Sequence, residues 1–169
     1  MATRSVAAGI FCNPTATHGI DVKLHNIMKT ILFLCTGNYY RSRFAEHLFN
    51  ELAKTYQLAW NAESRALALQ LGINNVGEIS PHTINRLQQL GITLSKAREP
   101  QQVTEIDLKN SNKIIALDKE EHHPFVATLF PEWTDKIDYW TVHDLHLTEP
   151  HDALAEIERQ IKLLVETLK

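Results

Sequence analysis

The sequence predicts an α/β fold: a three-layer sandwich in which helices cover both faces of a parallel sheet. Three observations carry this. Two short apolar runs, 29–35 and 113–118, lack polar alternation, as strands buried on both faces do. Segments with apolar residues at three-to-four spacing lie between and after these runs. Strand and helix signals alternate along the chain, which calls for parallel pairing with crossover helices. The 169 residues, 44% hydrophobic and 22% charged, suit one globular domain and exclude wholesale disorder.

The amino-terminal stretch 1–27 shows neither helical nor strand periodicity, and its best apolar run, Val6 to Phe11, is too short for a signal-peptide core. The expectation is a flexible extension or a start-site artefact, with the domain spanning 28–169 from Met28. Lys29 to Leu34, ending at Cys35, reads as the first buried strand. A helix follows Arg41, with Phe44, Leu48, Phe49, Leu52, Ala53 and Tyr56 on one face. Leu58 to Asn61 is a short candidate strand, and Gly72, Asn74, Asn75 and Gly77 mark a loop. Ser80-Pro81 starts a second helix as cap and first-turn proline, Ile84, Leu87 and Leu90 give its buried stripe, and Gly91 ends it. Lys113 to Asp118 forms another buried strand, followed by a helical stretch from Lys119 to Leu129 that Pro124 interrupts. Ile137 to Val142 makes the fourth strand. The last helix starts near Pro150 and buries Leu154, Ile157, Ile161, Leu164, Val165 and Leu168.

In such folds ligands bind at the carboxyl ends of strands. After the first strand comes Cys35-Thr36-Gly37-Asn38-Tyr39-Tyr40-Arg41-Ser42. Gly37 and Asn38 permit left-handed backbone geometry, and a helix opens at Arg41 and Ser42. A loop of this shape wraps its backbone N–H groups around one tetrahedral oxyanion, with the helix N-terminus adding its positive end. The same field favours Cys35 as a thiolate nucleophile. Arg41 suits bidentate phosphate binding and stabilisation of a transferring group. The Ser42 hydroxyl can hydrogen-bond the Cys35 sulfur and help it leave in a second step. On strand position alone, an inert core cysteine is the better reading of Cys35. The seven residues after it reverse that preference.

The segment resembles the phosphate-binding loop of low-molecular-weight protein tyrosine phosphatases, with the pattern C-x-G-N-x-C-R-S, matched by Cys35, Gly37, Asn38, Arg41 and Ser42. The resemblance covers 28–169 and implies a four-stranded parallel sheet in the order 2-1-3-4, with helices on both faces. It implies phosphomonoester hydrolysis through a cysteinyl-phosphate on Cys35, with protein tyrosine or aryl phosphate as substrate and residues 36–42 (Thr36, Gly37, Asn38, Tyr39, Tyr40, Arg41 and Ser42) holding the phosphate. No metal or organic cofactor is implied. The family's late Asp-Pro acid maps by position onto Asp144, which would protonate the leaving group and then activate water. An aspartate after a strand can equally cap a turn. Asp118, at the end of the third strand, is expected to orient groups around the loop.

The sequence departs from the family pattern at several places. Tyr40 replaces the family's second cysteine, Arg43 replaces a proline, and Leu145-His146-Leu147-Thr148 lacks the aromatic residues that follow the acid. Tyr39 is expected to face the substrate and Tyr40 to pack. Branches specialised for phosphoarginine place a small threonine where Tyr39 stands, so a bulky ring argues against that substrate. Asn61 to Arg65 lies where the family has a loop-supporting segment, and no role is assigned there. With two cysteines in the chain and none after Cys35, an arsenate reductase relay lacks its partners. A weak phosphate-binding module that kept the loop and lost the acid architecture remains an alternative.

The two cysteines also exclude a disulfide scaffold and a four-thiolate zinc site. A net charge of −3 argues against bulk-charge nucleic-acid binding, and no apolar run reaches the ~18 residues of a membrane span, so a cytoplasmic location is expected. Of the nine histidines, adjacent His122 and His123 are expected at the surface rather than on a metal. His143 or His146 could tune the acid or the electrostatics of the mouth.

Overall fold

The computed structural model describes residues 27–94, 98–144 and 149–169, so the expected extension lies, apart from Ile27, outside the described residues. Nine main elements run β1 (Lys29–Cys35), α1 (Arg41–Thr55), β2 (Trp60–Ala66), α2 (Pro81–Gln89), α3 (Glu105–Asn110), β3 (Lys113–Ala116), α4 (Lys119–Leu129), β4 (Asp138–Tyr139) and α5 (Pro150–Leu168). The sheet is parallel throughout, in the order β2-β1-β3-β4. The expected architecture and strand order are observed.

The central strand explains the three layers. Along β1, Ile31 and Phe33 point into one core with Phe44, Phe49, Leu87, Ile157 and Ile161. Leu32 and Leu34 point into the other with Val103, Leu108, Val126 and Ile137. A strand with both faces covered has no solvent side, hence its unbroken apolar run. α1 and α5 pack on the first face, while α3 and α4 cover the second.

The elements differ from the sequence expectations in five places, the third strand among them, which ends at Ala116 rather than Asp118. The second strand is β2 at Trp60–Ala66, because Ala62, Ser64 and Ala66 alternate inward and small inward residues leave no apolar run. Asn50 of α1 fixes this edge strand: its Oδ1 accepts from the Ala62 N–H at 2.7 Å and its Nδ2 donates to the Ala62 carbonyl at 3.0 Å. α3 was not anticipated. Pro124 does not interrupt α4: it stands sixth of the eleven residues, inside the helix, which continues through it with the one backbone donor of that position missing. The fourth strand shortens to β4, after which the chain continues beside the end of β3 through Trp140 N–H to Ala116 O at 2.9 Å and Val142 N–H to Leu117 O at 2.8 Å. Gly91, at φ +74°, ends α2 as expected, and Ser80 Oγ accepts from the His82 N–H at 3.3 Å. No helix among the described residues is long and apolar enough to cross a membrane.

Candidate active site

β1 lies between β2 and β3, so the loop after Cys35 opens at the carboxyl edge of the sheet, where the chain turns into α1. Asn38 makes that turn. It stands at φ +51°, a left-handed conformation that asparagine tolerates through local hydrogen bonding. Gly37, by contrast, is not left-handed, so Asn38 alone supplies that geometry. The fully buried Asn38 side chain holds the loop from behind, donating to Ser64 Oγ at 2.8 Å and Ser42 Oγ at 3.1 Å. Its Oδ1 accepts from Arg98 Nη1 at 3.1 Å and from the Gln101 N–H at 3.0 Å. Arg98 also reaches Glu46 at 2.9 Å, tying β2, α1 and the segment before α3 into one brace. Ser64 lies in the segment to which the sequence assigned no role.

Cys35 is 3% exposed, and its Sγ lies 2.9 Å from Ser42 Oγ. Arg41, the first residue of α1, is 1% exposed and donates from Nη1 to the Val142 carbonyl at 3.0 Å. Its Nη2 meets Asp144 Oδ2 at 3.0 Å and Glu121 Oε2 at 2.8 Å. Cys35, Arg41 and Asp144 line one cavity of about 300 Å³, together with Tyr39, Tyr40 and Asn75. No acidic residue stands in the first turn of α1, which leaves its positive end for an anion.

Both tyrosines border the cavity, but they are held differently. Tyr39 borders the cavity with its hydroxyl donated to the Val76 carbonyl at 2.7 Å. Tyr40 is 6% exposed and donates to the Pro150 carbonyl at 2.9 Å. Burial, with the Asp144 charge added, pushes the Tyr40 phenol well above its ordinary range, so it remains a neutral donor. Thr36 and Ser42 turn their side chains away from the cavity, towards Glu121 and towards Cys35 and Asn38.

The surface expectation for His122 does not hold. His122 is a core residue, fully buried, and only its neighbour His123 reaches partial exposure. Burial keeps His122 below the ordinary histidine range. Its Nδ1 accepts from the Asp118 N–H at 2.9 Å, so in the neutral ring the hydrogen sits on Nε2. His143 bonds Asp118 Oδ2 through Nδ1 at 2.7 Å. Asp118 thus orients His143, and its Oδ1 caps α4 through the Glu120 N–H at 2.9 Å, while among the described residues it makes no bond to the loop itself. His146 lies outside the described residues.

Glu121 was not anticipated. Its carboxylate takes the Thr36 hydroxyl and the Arg41 guanidinium at once. Burial alone would raise this carboxyl, but His122, Arg41 and Thr36 outweigh it and hold it well below the usual carboxylate range.

The arrangement presents a thiol, a fixed guanidinium and a carboxylate around one cavity at a helix N-terminus. Residues 30–169 match the family model of the low molecular weight phosphotyrosine protein phosphatases. A protein-arginine-phosphatase of Bacillus subtilis is 27% identical over 142 residues, 82% of this chain and 90% of that protein. An arsenate reductase of Staphylococcus aureus is 28% identical over 143 residues, 83% of this chain and 96% of that protein. Among solved structures, the low molecular weight protein tyrosine phosphatase of T. tengcongensis superposes with a TM-score of 0.69 at 25% identity, covering 83% of this chain and 99% of that one.

Proposed function

The chain belongs to the low molecular weight phosphotyrosine protein phosphatase family, and from that premise we propose that it hydrolyses phosphomonoesters through a phosphorylated Cys35. The observation that carries this reading is the convergence of Cys35, Arg41 and Asp144 on one cavity at the start of α1. The Cys35 thiolate attacks phosphorus, the bond to the leaving oxygen breaks, and Asp144 gives that oxygen its proton. Water then attacks the cysteinyl-phosphate, Asp144 takes the proton back, and the S–P bond breaks. Ser42 Oγ, 2.9 Å from the sulfur, stabilises the departing thiolate. The backbone N–H groups of residues 36–42 and the Arg41 guanidinium hold the phosphoryl oxygens as charge redistributes.

The substrate is an aryl phosphate, either phosphotyrosine in a protein or a small analogue, because the Tyr39 ring walls the cavity. A phosphorylated arginine, the substrate that the name of the Bacillus subtilis relative gives for that protein, is disfavoured by the same ring. The reductase named for the Staphylococcus aureus relative is a weaker model, since no cysteine follows Cys35 to relay a disulfide. We place the reaction in the cytoplasm, where a thiol nucleophile stays reduced.

Steady-state hydrolysis of a phosphotyrosine peptide, a phosphoarginine peptide and p-nitrophenyl phosphate tests the proposal. The wild type is expected to turn over the aryl esters, Cys35→Ser to be inert, and Asp144→Asn to lose roughly 10²- to 10⁴-fold in kcat. Wild-type turnover no greater than that of Cys35→Ser would leave only a phosphate-binding module. An undiminished Asp144→Asn would remove the acid assignment.

A further inference from the structure

We infer that Glu121 is a positioning residue for the reaction: a permanent carboxylate strut that fixes Arg41 and Thr36 from the α4 side while phosphate comes and goes. The inference rests on the phosphatase reading above. Glu121 joins the two ends of the loop. One oxygen accepts from the Thr36 hydroxyl, directly after Cys35, and from Arg41 Nη2 at 3.0 Å. The other lies 2.8 Å from the same Nη2.

The strut is itself held. Asp118 caps α4 and receives the Glu121 N–H at 3.4 Å. His122, with its hydrogen fixed on Nε2 by the Asp118 N–H, stands beside Glu121 Oε1 at 3.6 Å without a hydrogen bond to it. A second anchor, the Val142 carbonyl on Nη1, leaves the guanidinium little rotation.

Two carboxylates touch Nη2, but they stand in different places. Asp144 lines the cavity and must give way when a phosphoryl group enters. Glu121 does not line it, so its bonds to Arg41 and Thr36 persist with phosphate bound. This separation predicts opposite effects on binding and turnover. The Glu121 charge offsets that of Arg41, so removing it strengthens ground-state attraction for a phosphate dianion. Removing it also frees the guanidinium that must track the moving phosphoryl group, so the transition state loses more than the ground state.

The test compares wild type, Glu121→Gln, Glu121→Ala and Thr36→Val for p-nitrophenyl phosphate kinetics and for inorganic phosphate affinity by calorimetry. In Glu121→Gln, kcat is expected to fall roughly tenfold while phosphate binds at least as tightly as to wild type. Glu121→Ala is expected to fall further, with the glutamine recovering part of the loss. Thr36→Val, which leaves every charge in place, is expected to lower kcat by a few-fold. A Glu121→Gln enzyme with kcat within twofold of wild type would overturn the inference. So would phosphate affinity that falls in parallel with kcat, the mark of general loosening. A wild type that binds phosphate but does not turn over would overturn the phosphatase reading instead.

Discussion

Arg41 and Arg43 stand two residues apart at the start of α1, both buried, with opposite surroundings. Arg41 has a carbonyl and two carboxylates. Arg43 is fully buried, and none of its three guanidinium nitrogens makes a hydrogen bond. Burial pulls its pKa down, with the Glu46 charge only partly opposing that. A buried charge without hydrogen bonds costs stability, whereas an apolar side chain of similar length keeps the packing. Arg43→Met is therefore expected to raise stability by roughly 1–3 kcal/mol, read as a higher urea midpoint, with aryl phosphatase activity retained. A lowered midpoint would mean that Arg43 holds an interaction worth more than its burial cost. The residues at Cys35–Ser42 were legible in the sequence because their geometry is local: one strand end, one turn, one helix start. Glu121 was not, because it meets Arg41 across 80 positions and only the β1–β3 adjacency brings them together. Ser64 and Arg98 were hidden for the same reason, being placed by the β1–β2 register and the chain that crosses it.

At the scale of elements, strongly periodic helices and doubly buried strands were legible, while short or small-residue elements were not. β2 alternates Ala62, Ser64 and Ala66 inward, too little apolar surface to announce a strand. Six residues give α3 no room for periodicity, yet its start carries a local signature. Thr104 Oγ1 accepts from the Asp107 N–H at 3.2 Å, and Asp107 Oδ2 accepts from the Thr104 N–H at 2.8 Å, a reciprocal capping box. Asp107 also lies 3.0 Å from Arg65 of β2, so the cap seats α3 against the edge strand while Leu108 enters the core. Thr104→Ala is expected to lower the unfolding free energy by about 1 kcal/mol in urea titrations. It should leave kcat untouched, since α3 braces the face of the sheet away from α1. A change in kcat without a change in stability would show that α3 communicates with the loop.

For the whole molecule, the sheet order brings the pH response of stability into a small set of buried groups. His122 is fully buried, and burial holds it below the ordinary histidine range. His47 on α1 is lowered too, first by burial and then by the nearby Arg43 and Arg98 charges against Glu46, and its Nε2 is buried without a hydrogen bond. Both rings are neutral in folded and unfolded chains above about pH 6.5. Below that value the unfolded chain takes up protons that the folded one resists, so stability falls as pH falls. Glu121 adds a lower step. Its carboxyl is held below that of an ordinary glutamate, so its contribution is full above about pH 4.5 and is lost as pH falls from there through the depressed folded value. Urea midpoints are therefore expected to decline from about pH 7 to pH 5 and more steeply below about pH 4.5. His47→Leu should shrink the upper step to the part that His122 carries and leave the lower one, and Glu121→Gln should shrink the lower step. A wild-type midpoint unchanged between pH 7 and pH 5 would mean that both histidines reach water and proton in the folded state.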